Sequence, residues 1–160
     1  MDKLVQSLGI TTLSKSQVSE MAKEFDAHVE QFRTRPLAEA GPFTFMAADA
    51  LVLKVREGGG VVGVHALVAI GVDADGHRQV LGIQVTSSED GAGWLVFFRD
   101  LTARGLSGVH LVVSDVHSGL VAAIGATLPG ASWQRSSVNM PGGGIVPLVH
   151  LHRRERTLAA

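Results

Sequence analysis

The sequence has no cysteine, which excludes a disulfide framework and any thiolate metal site; that absence fits a cytoplasmic chain. It has no excess of charge of one sign. Lys and Arg number 14 against 15 Asp and Glu, a net charge of −1, so there is no global basic signature for nucleic acid, although a local basic surface is not excluded. It has no apolar run long enough for a membrane helix, which needs about 20 residues. The most apolar stretch, Val61 to Val72, is shorter, contains His65 and reads as a buried strand. Met1 to Thr12 lacks the basic start and apolar stretch of a signal peptide. Neither glycine run, at 58–60 or 142–144, is followed by a P-loop lysine, so both read as turns. What is present is core material. A hydrophobic fraction of 46% in 160 residues suits one domain with a short extra segment and excludes global disorder.

The period of the apolar residues orders the elements. Ser14 and Gln17 form a predicted capping box ahead of a helix over Leu13 to Phe32, with Val18, Met21, Phe25, Val29 and Phe32 on one face and Pro36 closing it. Phe43 to Arg56, Val61 to Val72 and Val80 to Thr86 read as strands, parted by turns at Glu57 to Gly60 and Asp73 to Gly76, and so as an antiparallel meander. Ser88 is the expected cap of a helix carrying Trp94, Leu95, Phe98 and Leu101 on one face and ended by Gly105. Val109 to Ser114 reads as a strand buried on both faces, and Leu120 to Leu128 as a helix ended by Pro129 and Gly130. Beyond Ser136, Ile145 to Leu151 reads as a short strand before a mostly basic end. The order, three strands and then helix, strand, helix, is that of an α/β ribonuclease-H-like mixed sheet, preceded by an N-terminal helix and incomplete.

Two carboxylates stand out. Asp49 lies inside an apolar strand, where burying a charge is costly unless something compensates. Asp115 lies at the end of the strand ending Leu111 to Ser114, and strand carboxyl ends in α/β sheets are where ligands bind. On neighbouring strands the two converge on a hard divalent cation, Mg²⁺ or Mn²⁺, which takes oxygen ligands; alternatively Asp49 is a strand-edge residue and Asp115 a helix cap. His117 is either an auxiliary group orienting water or phosphate, or a packing residue. Glu89 and Asp90 read as capping residues, and His150 with His152 lack a third ligand. Ile10 to Phe32 reads either as the end of a DNA-binding helix-turn-helix, with Lys15, Ser16 and Gln17 toward DNA, or as an amphipathic connecting helix.

A family resemblance rests on longer blocks. Asp49 to Gly58, Ala69 to Gly76 with Val80-Leu81-Gly82, Ser88-Glu89-Asp90 with Trp94, Leu101 to Leu106, and Ser114-Asp115-Val116-His117-Ser118-Gly119-Leu120 resemble the Mutator-type bacterial insertion-sequence transposases of the DDE class. Leu13 to Ser19 and Arg35-Pro36-Leu37 match as well, so the resemblance runs from about residue 8 to 135. It implies a catalytic domain that holds two Mg²⁺ ions through two aspartates and a glutamate, with DNA ends and target as partners. Carried over by position, Asp49 and Asp115 become catalytic metal ligands.

The resemblance also sets expectations about what differs. Residues 1–36 are expected to be a helical segment, 37–135 a fragment of the catalytic core, and 136–160 a divergent tail. The family's Cys-x-x-His block is replaced by Ser136-Ser137-Val138-Asn139, which suggests a frameshift or rearrangement near Ser136. The family's glutamate is expected beyond this chain, with Glu155 the one acid in the tail able to replace it or else a solvated surface residue. The chain is therefore expected to be a truncated, catalytically impaired transposase, or a non-catalytic remnant that binds DNA, itself or intact transposase and regulates it.

Overall fold

The capping box predicted at Ser14 forms in the computed structural model, which describes residues 14–136. The Ser14 backbone N–H donates to Gln17 Oε1 at 2.9 Å, and the Gln17 N–H donates to Ser14 Oγ at 3.3 Å. They start helix α1, Lys15–Thr34. Val18, Met21, Phe25 and Val29 share one side as their spacing predicts, yet all are exposed and the helix buries no residue. This helix belongs to the first of two compact units, Met1–Arg35 and Pro36–Ala160.

In the second unit the meander is formed as expected. Strands β1 (Phe43–Glu57), β2 (Gly60–Asp73) and β3 (Arg78–Thr86) pair antiparallel in succession. The β1–β2 turn places Gly58 at φ 57° and Gly59 at φ 83°, a left-handed backbone that glycine adopts without the steric penalty of a Cβ. The chain continues as helix α2 (Gly91–Ala103), strand β4 (Leu111–Ser114), helix α3 (Ser118–Thr127) and strand β5 (Ser132–Arg135). β4 and β5 join parallel, and the sheet order is β3-β2-β1-β4-β5. The result is a mixed α/β unit whose first strand is central.

Four expectations are corrected. The cap of α2 is Asp90, not Ser88: the Gly93 N–H donates to Asp90 Oδ1 at 2.7 Å, while the Ser88 hydroxyl supports the cap by donating to Asp90 Oδ2 at 2.8 Å. The buried face of α2 is Trp94, Phe97, Phe98 and Leu101; Leu95 packs only at its margin. β4 is not buried on both faces, since Val112 and Ser114 are buried and Leu111 and Val113 are half-buried. β5 had no sequence counterpart, because one half-buried Trp among Ser, Gln and Arg leaves no apolar alternation to detect. The predicted strand Ile145 to Leu151, together with His150, His152 and Glu155, lies outside the described residues.

One apolar cluster unites Phe43 and Met46 of β1, Leu67 and Ala69 of β2, and Leu81 of β3 with the aromatic face of α2 and Leu120, Ala123 and Ile124 of α3. Trp94 and Phe98 stack at 5.6 Å between ring centres, an arrangement worth about 0.5–1.5 kcal/mol beyond burial. The end of α2 turns at Gly105, φ 98°. There the Gly105 N–H donates to the Thr102 carbonyl and the Leu106 N–H to the Leu101 carbonyl, the paired bonds of a Schellman ending. The core fixes the sheet face: Met46 and Ala48 point into it, so alternation puts Ala47 and Asp49 on the other face of β1.

Candidate metal centre

The parallel ladder between β1 and β4 matches Phe45 with Leu111, Met46 with Val112 and Ala47 with Val113. Continuing that register by two residues, from 47 to 49 and from 113 to 115, sets Asp49 level with Asp115. Asp115 follows the last residue of β4 and its charge acts on Asp49, so the two carboxylates lie near one another past the end of the ladder. Asp49 pairs with Val68 of β2 but lies past the last pair of β1 with β4, so its β4 side is open. The helix-cap alternative for Asp115 fails. The cap of α3 is His117, whose Nδ1 accepts the Leu120 N–H at 3.3 Å.

Asp49 is half-buried. Its carboxylate accepts the Ala50 N–H at 2.8 Å. Its pKa is raised above the ordinary carboxylate value, first by burial, which disfavours the charge, and then by the negative charges of Asp115 and Glu89; the Ala50 bond opposes the rise. Asp115 Oδ1 lies 3.4 Å from the His117 backbone N–H, a long contact. The end of β4 is held by the buried Ser114, whose hydroxyl donates to the Asp115 carbonyl at 2.9 Å and accepts from Trp133 Nε1 of β5 at 2.9 Å. The unforeseen strand thus braces the segment that carries Asp115.

Glu89 was expected to cap α2 and does not. Its Oε1 accepts from Trp94 Nε1 at 3.2 Å and lies 3.9 Å from His117 Nδ1. That approach is a contact rather than an ion pair, because the lone pair of Nδ1 already receives the Leu120 N–H and the same atom cannot also donate. Glu89 and His117 meet because α2 and α3 begin backbone to backbone. A Cβ on Gly119 would lie 2.7 Å from Gly91 Cα and N. The sequence signal for Glu89 was present but silent, since nothing along the chain says that residues 89 and 117 adjoin.

A second acidic group, Asp73, Asp75 and His77, has ligand atoms within 4.8 Å of one another. It lies at the β2–β3 turn. Asp73 Oδ1 there accepts the N–H groups of Asp75 at 3.0 Å and His77 at 2.8 Å, the work of an Asx turn. Asp73 pairs with Phe43, whereas Asp49 pairs with Val68, so six strand residues, about 20 Å, separate the two places.

An oxygen-only donor set at a place crowded with negative charge fits a hard divalent cation. Asp49 is pushed toward protonation by burial and then by two carboxylates. No helix among the described residues is long and apolar enough to cross a membrane.

A family model described as "Transposase, Mutator family" matches residues 1–142. The transposase for insertion sequence element IS1081 of Mycobacterium tuberculosis is 75% identical over 135 residues, 84% of this chain and 32% of that protein. The transposase for ISRM5 of Rhizobium meliloti is 44% identical over 139 residues, 87% of this chain and 34% of that protein. The transposase for IS256 in transposon Tn4001 of Staphylococcus aureus is 37% identical over 137 residues, 86% of this chain and 35% of that protein. The chain spans about a third of the length of these curated relatives. The match over residues 1–142 makes this chain a member of the Mutator family of transposases.

Proposed function

We propose that the second unit is part of a ribonuclease-H-like transposase core, and that Asp49 and Asp115 hold a divalent cation, Mg²⁺ or Mn²⁺, for DNA cleavage and strand transfer. The observation that carries this is that the β1–β4 ladder ends at Ala47 and Val113, two residues before each aspartate, with the charge of Asp115 acting on Asp49. The sheet order β3-β2-β1-β4-β5, an antiparallel meander followed by parallel strands, supports the fold assignment. A cation bound there supplies Lewis-acid stabilisation of charge at a phosphodiester and lowers the proton affinity of a hydroxyl nucleophile. The protein's part is positioning. Central β1 fixes Asp49, and Trp133 through Ser114 steadies the chain at Asp115. His117, tied to Leu120 as a cap, is an auxiliary group beside Asp115.

Further parts of this reading concern the rest of the chain. The partner is DNA, at transposon ends and target, with residues 1–36 the end of a DNA-binding region, 37–135 the core and 136–160 a divergent tail. Mn²⁺ titration followed by electron paramagnetic resonance tests the site. Wild-type chain is expected to bind, and Asp49→Asn or Asp115→Asn to weaken binding by at least about tenfold, as loss of groups supporting a metal does. Equal binding by wild type and both variants would refute the assignment.

A further inference from the structure

We propose that Glu89 is a third carboxylate of the cation site, reaching it from the start of α2 across the end of β4. This rests on the reading of Asp49 and Asp115 as ligands and adds to it a residue from a different element.

Three geometric facts lead there. First, the β1–β4 ladder ends at Ala47 and Val113, and β4 itself ends at Ser114. Beyond that point β1 has no strand on its β4 side, so a group from the helix side can approach the aspartates around that open edge. Second, Gly91 and Gly119 bring the first turns of α2 and α3 into backbone contact. The residues two positions before each, Glu89 and His117, are thereby drawn together at 3.9 Å, and the backbone N–H of His117 touches Asp115 Oδ1. Third, Glu89 is held. Its Oε1 is fixed by the indole of Trp94, which is fully buried in the aromatic stack of α2. A long side chain fixed through one oxygen at a rigid ring has lost much of the rotamer entropy that ligation would otherwise cost.

The charge balance agrees. Asp49 experiences Glu89 and Asp115 as like charges. Like charges acting on a half-buried carboxylate weigh against its ionised form, and a divalent ion with oxygen ligands drawing Glu89 and the aspartates together would offset them directly. Glu89 thus adds a second type of support to a pair that is otherwise thin for holding the metal.

A crystal of the full chain grown with Mn²⁺ and measured at the manganese edge tests the proposal. The anomalous peak is expected within about 2.0–2.6 Å of a Glu89 oxygen as well as of the aspartates, the range of hard-cation bonds. In solution, Glu89→Gln keeps an oxygen for the Trp94 indole and removes only the charge. Without a divalent cation it is expected to unfold at no lower urea concentration than wild type; it is expected to bind Mn²⁺ about tenfold more weakly, and Glu89→Asp to recover part of the loss. Trp94→Phe, which keeps the carboxylate, is expected to weaken binding less than Glu89→Gln. A peak ligated by Asp49 and Asp115 with Glu89 remaining on Trp94, or wild-type affinity in Glu89→Gln while the aspartate variants fail, overturns the role of Glu89 and leaves the aspartate site standing. A peak at neither aspartate overturns both.

Discussion

Asp49 and Asp90 show opposite consequences of placing a carboxylate. Asp90, exposed at the start of α2, is held below its usual pKa by the Gly93 N–H and then by the Ser88 hydroxyl. Its stabilising effect is present above 3.8 and is lost as pH falls through the lowered folded value. Asp49 is raised, so the sign reverses. Its favourable contribution belongs to the protonated form, is present below 3.8 and is lost as pH rises through the raised folded value. At neutral pH without a divalent cation its charge therefore weighs against the fold. Asp49→Asn keeps an acceptor for the Ala50 N–H and is expected to melt above wild type at pH 7 in a chelator, the gap closing toward strongly acid pH. Calorimetry at both pH values checks this; a lower melting temperature for the variant at pH 7 contradicts it.

At the scale of elements, two glycines of α3 predict opposite effects for one substitution. A Cβ at Gly119 would press on the backbone of Gly91 at 2.7 Å, and neither helix start can give way cheaply. Gly119→Ala is expected to cost about 1–3 kcal/mol by overpacking. At Gly125 an added Cβ meets nothing within 4 Å, so Gly125→Ala is expected to stabilise by about 0.5–1 kcal/mol through helix propensity. Urea unfolding of the two variants reads both; matching midpoints would refute the close approach of α2 and α3. The β1–β2 hairpin offers a similar contrast. Val61 is 62% exposed while Leu120 of α3 is fully buried. Val61→Thr is expected to change stability by no more than about 0.5 kcal/mol, and Leu120→Ala to cost about 2–5 kcal/mol. A large loss for Val61→Thr would mean that a partner covers this strand.

For the whole molecule, burial divides the chain. Helix α1 buries no residue, whereas the centre of β1, Met46 to Ala48, is buried, with Met46 and Ala47 paired on both sides. Most helical stability in proteins comes from tertiary packing of an apolar face rather than from propensity. Native-state hydrogen exchange is expected to show α1 amides opening with little free-energy cost, while the amides of Met46 to Ala48 exchange only through global unfolding. Equal protection in the two regions would show that α1 packs against something.

What the sequence by itself determined is what short-range chemistry controls. The Ser14–Gln17 box, the turn carrying Gly58 and Gly59 and the order of elements from α1 to α3 depend on neighbours within a few residues, and they formed as read. Asp49 and Asp115 were conspicuous because a carboxylate in an apolar strand and another at a strand end are costly without a purpose. Only the tertiary structure decided how they combine. The parallel ladder of β1 and β4 brings the segments carrying residues 49 and 115 together, and such pairing leaves no local trace along the chain. β5 was hidden for the same reason: its four residues make a strand because β4 offers them an edge. Glu89 and Asp90, adjacent and alike in sequence, were parted by backbone geometry and by one interhelical contact. Asp90 turned inward to cap its own helix, and Glu89 was left facing Trp94, His117 and the aspartates.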